Sequence, residues 1–368
     1  MLEIADIFRQ YGDEYLGAFG KAMPSSHRRA FRDILSCRTQ AMGGHLFVCD
    51  HCGREHYAYH SCRNRSCPKC HGRDMQDWLQ DRHKELLPVR YFHIVFTLPQ
   101  ELRAVVRRYQ KILYSVFMKA AAKSLMELAY DPHYLGGRIG LMAVLHTWTR
   151  TLTYHPHVHC LVPGGGVSDK GQWLRARKNH LVPVKALSKL FRGKFMALAA
   201  SKLPDVKFPQ AAWNQPWVVY CKPAVQGSQN ILNYLGRYVH RVAITNSRIL
   251  SISNGKVTFR YQNCGQSQWK TMTLTAQEFI RRFLQHVLPK AVHKVRYYGL
   301  WAPSNRRLLY HIQTVLGIEE PSSPPDTSDK PTDGSPAPAG QPCPHCGQGI
   351  LLWVRRIPRQ APLERAPP

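Results

Sequence analysis

"YHPHVHCLVPGGG", residues 154–166, sets three histidines at alternate positions and then runs into three glycines. A strand points successive side chains to opposite faces, so His155, His157 and His159 share one face while Val158 takes the other. Same-face neighbours lie ~7 Å apart along a strand, a reach that lets two imidazoles converge on one metal ion, whereas three in a row converge poorly. His157 and His159 are the preferred pair, being nearer the polar exit formed by Gly164, Gly165 and Gly166. His155 falls behind them. Two nitrogen ligands leave coordination positions open, as in a catalytic rather than a closed metal site. The plainer alternative is three hydrogen-bonded, metal-free histidines, and a zinc hydrolase is the competing enzyme.

The flanking sequence gives this strand its neighbours. "VRYFHIVFTLP" (89–99) is a β-branched and aromatic run closed by proline, and "LMAVLHTWTRTL" (141–152) leads into the histidine strand. Helical spacing appears in residues 101–127, while "RILSISNGKVTFRYQ" (248–262) is a hairpin turned at Asn254-Gly255. "QWKTMTL" adds a strand, and Thr275 with Glu278 forms a capping box before another helix. Strands and helices interleave without a βαβ rhythm. The expected fold class is therefore α+β, a central mostly antiparallel sheet with flanking helices.

"QNILNYLGRYVHRVAI" (229–244) places Tyr234 and Tyr238 four apart, on one face if the segment is helical, with Arg237 and Arg241 on a neighbouring basic edge. A phenol titrates near ~10 and is a poor nucleophile until a metal or cations favour its anion or polarise the phosphate it attacks. Taken alone, such a pair is an aromatic stripe. Beside a metal-binding strand it is a pair of nucleophiles for phosphodiester chemistry. The crowd of phosphate charge favours Mg2+ or Mn2+ as the working ion. Its remaining ligand is not identifiable among Gln229, Asn230, Asn233, His240 and His93.

Five of the eleven cysteines fall within 49–70, in "CDHCGREHYAYHSCRNRSCPKC". Cys49 with Cys52 and Cys67 with Cys70 are two CxxC turns, and four thiolates suit a structural tetrahedral Zn2+. Cys62 and His60 are alternative ligands, with His51 and His56 close by. Arg63, Arg65 and Lys69 make this module a candidate DNA grip. Cys343 and Cys346, in "CPHCGQG", supply half of a further site.

Fifty-one Lys and Arg against 23 Asp and Glu give a formal charge of +28 spread along 368 residues, which favours a polyanionic partner, DNA first. The opening residues do not make a signal peptide, and no stretch approaches ~20 uninterrupted apolar residues. The expectation is a cytoplasmic protein, nucleoid-associated when on DNA, without a membrane partner. Residues 1–87 read as a helical, zinc-ribbon-like domain, 88–315 as the catalytic domain, and 316–368 as a disordered Pro/Ser-rich linker with a short CPHC tail.

Together these stretches resemble the rolling-circle insertion-sequence transposases of the group founded by element ninety-one, in the HUH endonuclease superfamily. "HPHVH" is similar to its His-hydrophobic-His motif, "YLGRYVHRVAI" to its tyrosine motif, "FHIVFTLP" to its first strand, "SCRNRSCPKC" to the end of its zinc-binding domain and "VRYYGLWAPSNRR" (295–307) to a late stretch of the catalytic region. The resemblance covers about residues 10–310. It implies His157 and His159 as metal ligands and Tyr234 and Tyr238 as nucleophiles. It also implies metal-dependent nicking and joining of single-stranded DNA at element ends through a 5′-phosphotyrosine link. No helicase domain is implied, so unwinding falls to a host helicase. The alternatives are a rolling-circle replication initiator of the same superfamily and a non-catalytic zinc-dependent DNA-binding protein.

Overall fold

Apolar alternation and turn chemistry decide where the strands fall in the computed structural model, which describes residues 2–70, 72–177, 181–223, 230, 231, 236, 239, 241–262, 268–318 and 340–360, with 72–77 as backbone only. In chain order the strands are β1 (Gly44–Cys49), β2 (Glu55–Tyr59), β3 (Tyr91–Thr97), β4 (Gly140–Trp148), β5 (Tyr154–Pro163), β6 (Gly165–Val167) and β7 (Trp173–Arg175). They continue with β8 (Val219–Pro223), β9 (Ile249–Ser253), β10 (Lys256–Gln262), β11 (Trp269–Thr275), β12 (Val295–Gly299) and β13 (Leu351–Ile357).

The central sheet has the order β12-β4-β5-β3-β8, and every neighbouring pair in it is antiparallel. The protein is thus a mixed α+β fold with antiparallel sheets. β5 lies in the middle, paired to β3 on one side and β4 on the other. Its inward residues Tyr154, Val158, Cys160 and Val162 join Ile94, Phe96, Leu141 and Leu145 against the helices Gln110–Tyr130 and Val184–Lys202. Those helices contribute Leu113, Phe117, Leu125, Phe191 and Phe195, all completely buried. At about 1.5–3 kcal/mol for each large apolar side chain removed from water, this layer is the main reason β5 holds one register, since a one-residue slip would turn the histidines into it.

The opposite face carries Met142, Val144 and Leu161, covered by Trp301, Leu309 and Ile312 and by Ile231 and Val239. Gly299, at the end of β12, has φ +61°, and a Cβ there would stand 1.9 Å from the Ile139 carbonyl oxygen. Glycine is required for β12 to close this edge.

A second core forms between distant parts of the sequence. The helices Ile4–Phe19 and Ser25–Ser36 bring Ile7, Phe8, Phe31 and Ile34 onto Val257, Phe259, Phe279, Ile280 and Phe283. The latter come from the β11-β10-β9 sheet and the helix Ala276–Leu284. The expected hairpin is present, with Asn254 and Gly255 both at positive φ. Of the expected capping box the N-cap bond forms, Glu278 N–H donating to Thr275 Oγ1 at 3.3 Å, while the Glu278 carboxylate accepts from Arg281 and Arg282. The third sheet has the order β13-β1-β2, so the C-terminal strand is paired with the N-terminal hairpin. Residues 319–339, most of the expected linker, lie outside the described residues.

Candidate metal centres

β5 presents its histidines as the period of two requires. His157 faces His146 across the β4 pairing, and His159 faces Val144. Residues directly opposite in an antiparallel pair share a face. His146, His157 and His159 therefore stand together, with one ring nitrogen from each within 4.8 Å of the others. His155 is turned aside, its Nδ1 against Arg103 Nη2 at 2.8 Å. His146 was not singled out in the sequence, and the available signal was its place two residues beyond Val144 in a strand long enough to pair with β5.

The neighbours orient these rings. His157 Nδ1–H donates to the His155 carbonyl at 2.8 Å, which leaves Nε2 as the lone-pair nitrogen. His159 Nδ1 lies 2.8 Å from His93 Nε2, and the two rings are nearly coplanar, at an interplanar angle of 8°. If His159 Nδ1 carries the proton, its Nε2 is likewise the ligating atom; metal-bound histidines are commonly held this way. His93 is thus a partner to a ligand rather than a member of the trio. Desolvation is the leading cause that lowers His157 to about 4 and His159 well below the usual imidazole range, with Arg241 adding repulsion to both. At neutral pH both rings are neutral, the state in which imidazole binds metal.

Tyr234, Tyr238 and Arg237 lie outside the described residues, as do Gln229, Asn233 and His240. Their described neighbours Ile231 and Val239 pack on the histidine-bearing face with Val144 and Leu161. Lys294 Nζ donates to the carbonyls of Val239 and Arg241 at 3.0 and 2.7 Å. Burial first, then Arg241 and Arg65, push its ammonium down to about 7. A cleft beside the histidines is lined by Arg65, Trp148, Arg241, His286 and Lys294.

The cysteines do not group as their spacing suggests. Cys67 and Cys70 meet Cys37 and Cys62, whereas Cys49 and Cys52 meet Cys343 and Cys346. The anticipated set of Cys49, Cys52, Cys67 and Cys70 is split because a hairpin intervenes. Cys49 ends β1, and β2 carries the chain back to the opposite end, where Arg38 N–H bonds the His60 carbonyl and Cys37 waits. A six-residue strand at ~3.3 Å per step is ~16 Å long, and the two CxxC turns sit toward its opposite ends.

Around Cys70, the sulfurs of Cys37 and Cys62 stand at 3.4 and 3.5 Å. Backbone N–H groups of Cys62 and Asn64 point at Sγ of Cys37 and Cys62. This donor set fits a structural zinc ion of four thiolates. His60 is outside it, its ring edge-on to His45.

The basic residues of this module are divided. Lys69 is paired with Glu3. Arg65 bonds the carbonyls of Leu288, Pro289 and Val292, tying the zinc module to the loop before β12. Arg63 and Arg241 have exposed side chains.

An antiparallel α+β core whose three-histidine cluster could hold a metal ion, joined to a cysteine-rich module suited to structural zinc, sets the class of the protein. A family model described as "Transposase zinc-binding domain" matches residues 7–98, and one described as "Putative transposase" matches residues 140–308. The chain is 39% identical to "Putative transposase y4qJ" of Sinorhizobium fredii, over 96% of this chain and 94% of that protein. It is 28% identical to "Transposase for insertion sequence element IS801" of Pseudomonas savastanoi pv. phaseolicola, over 73% of this chain and 68% of that one. No solved structure gives a significant match. The chain belongs to the zinc-binding transposases of the HUH superfamily, rolling-circle enzymes that act on DNA. No helix among the described residues is long and apolar enough to cross a membrane.

Proposed function

We propose that the protein nicks and rejoins single-stranded DNA at the ends of an insertion element, with Tyr234 and Tyr238 as nucleophiles and His146, His157 and His159 as the metal-binding trio. The observation that carries this reading is the trio's position on the sheet face that also receives Ile231 and Val239 from the tyrosine segment. A bound Mg2+ or Mn2+ ion supplies Lewis-acid polarisation of the scissile phosphate. His157 and His159 remain neutral and fixed by their Nδ1 partners, so no reorientation precedes binding. Arg241, with Arg237 and Arg63, attracts the phosphate backbone and favours the phenolate. The tyrosine oxygen bonds to phosphorus as its proton departs, the P–O3′ bond breaks, and the 3′ oxygen leaves as a hydroxyl. The 5′-phosphotyrosine retains the bond energy, so joining to a second 3′ hydroxyl needs no ATP. Two tyrosines can hold two strands in turn.

In this reading residues 88–315 act as the nuclease, and 1–87 position it through the zinc module and Arg65. Element unwinding comes from a host helicase, and the protein works on the nucleoid. The test is incubation with element-end single-stranded DNA and Mn2+. A denaturant-resistant protein–DNA adduct is expected, absent from the Tyr234→Phe/Tyr238→Phe double variant, which should still bind DNA. An adduct that survives in that variant excludes these nucleophiles.

A further inference from the structure

The sequence writes the same word twice, far apart: "CDHCG" at 49–53 and "CPHCG" at 343–347. The structure closes both words, which differ only at Asp50 and Pro344, with the same glycine turn. Gly53 N–H bonds the Cys49 carbonyl at 3.0 Å, and Gly347 N–H bonds the Cys343 carbonyl at 2.9 Å. The two glycines have φ of +66° and +67°, the left-handed turn that lets a CxxC knuckle close. Backbone N–H groups then point at sulfur: Cys52 at Cys49 Sγ, His345 at Cys343 Sγ and Gly349 at Cys346 Sγ, each at 3.4 Å.

The knuckles face each other. Cys49 and Cys346 sulfurs are 3.7 Å apart, Cys52 and Cys343 sulfurs 3.9 Å, and all four lie within 4.8 Å of one another. Four sulfurs held ~2.3 Å from the centre of a tetrahedron are ~3.8 Å from each other. A disulfide would require ~2.05 Å. Both cross-pairs match the tetrahedron and neither matches the disulfide.

Apart from the β1–β13 hydrogen bonds and their flanking contacts, little apolar packing joins these two segments. The apolar cluster here consists of Phe47, Cys49, Cys343 and Leu351 as its buried members. β13 pairs with β1 from Cys49–Leu351 to Gly44–Ile357, yet Leu352, Trp353 and Val354 are 45–50% exposed. A small sheet with one strand so exposed is marginal in water without a further staple. Gly349 shows how tightly the halves meet, since a Cβ there would stand 2.6 Å from Cys49 Sγ and 2.5 Å from Asp50 Oδ1.

We propose that Cys49, Cys52, Cys343 and Cys346 form a second zinc site, separate from the Cys37 cluster, whose ion clasps the C-terminal tail to the N-terminal hairpin. Neither Cys343 nor Cys346 falls within the segments matched to the transposase families. The ligands come from sites 291 residues apart, so the ion closes a loop spanning most of the chain and β13 is ordered only while it is bound. Four soft thiolates select zinc over magnesium or manganese, and the thiols release their protons as the ion enters.

The test uses full-length protein purified from zinc-replete cells, with zinc per chain measured by mass spectrometry and backbone amide exchange followed by peptide. Two zinc ions per native chain are expected and one in the Cys343→Ser/Cys346→Ser variant, with exchange rising in Leu351–Ile357 while Tyr91–Thr97 stays protected. A Gly349→Val variant keeps every thiol but cannot seat the knuckles, and should surrender one ion to a chelator at least ten-fold faster than the native chain. One zinc in the native chain, or an unchanged count and unchanged exchange in the double serine variant, overturns the proposal.

Discussion

The hydrogen bond between His93 and His159 allows a sharp test of the histidine centre. His93→Phe keeps a flat ring in a site that is almost fully buried, beside the His159 ring whose centroid lies 5.1 Å from that of His93. It removes the 2.8 Å bond to Nδ1. Partners that fix a ligating imidazole are worth ~10–100-fold in metal affinity, which corresponds to about 1.4–2.8 kcal/mol. The loss to the fold itself should be about 1 kcal/mol, the net value of one neutral hydrogen bond. Free Mn2+ measured by electron paramagnetic resonance gives the affinity, and nicking of single-stranded DNA against Mn2+ concentration gives the activity. The half-saturating Mn2+ concentration should rise ~10–100-fold, with most of the rate recovered at high Mn2+. Unchanged Mn2+ affinity in a folded variant would refute the argument, because His159 would then be no ligand or would need no help to become one.

Cys37→Ser should remove one zinc ion and destabilise the N-terminal helices, since its sulfur, 3.4 Å from that of Cys70, comes from the end of the second helix and joins Cys62 in completing the cluster around the Cys67–Cys70 turn; full zinc content would reassign that cluster. Arg65→Ala should cost about 2–3 kcal/mol in a urea titration, the scale of charge-assisted bonds to the Leu288, Pro289 and Val292 carbonyls. A variant of native stability that only binds DNA less well would make Arg65 a phosphate contact instead. His286 is buried between Thr147 Oγ1 and the Leu152 carbonyl, and desolvation lowers its pKa to about 3. The unfolded chain takes up this proton near pH ~6.5 while the folded chain refuses it until about 3, so stability is present above ~6.5 and lost as pH falls through that window. The gap amounts to on the order of 5 kcal/mol. His286→Gln should flatten the acid limb of stability against pH relative to the native chain, and an identical limb would count against this assignment.

Local rules decided much of this protein before any tertiary contact was considered. The period of two fixed that His157 and His159 share a face, and the β-branched runs on either side identified β3 and β4 as companion strands. Asn254-Gly255 and Thr275 with Glu278 act within a few residues of themselves, so their turn and cap follow from the chain alone. The excess of positive charge was equally legible, as was the membership of a transposase family.

Tertiary structure decided whatever depended on two distant stretches meeting. His146 joins the histidine trio only through strand register, a property of β4 and β5 together. The two CxxC turns nearest in sequence lie at opposite ends of a hairpin, because β1 and β2 run its whole length between Cys49 and the segment that leads to Cys67. Their true partners, Cys37 with Cys62 on one side and Cys343 with Cys346 on the other, become neighbours only when the chain ends fold back. Likewise the N-terminal helices take Phe259 and Phe279 as their core, a choice made by complementary apolar faces. Spacing along the chain specifies what a segment can present, and packing specifies what it meets.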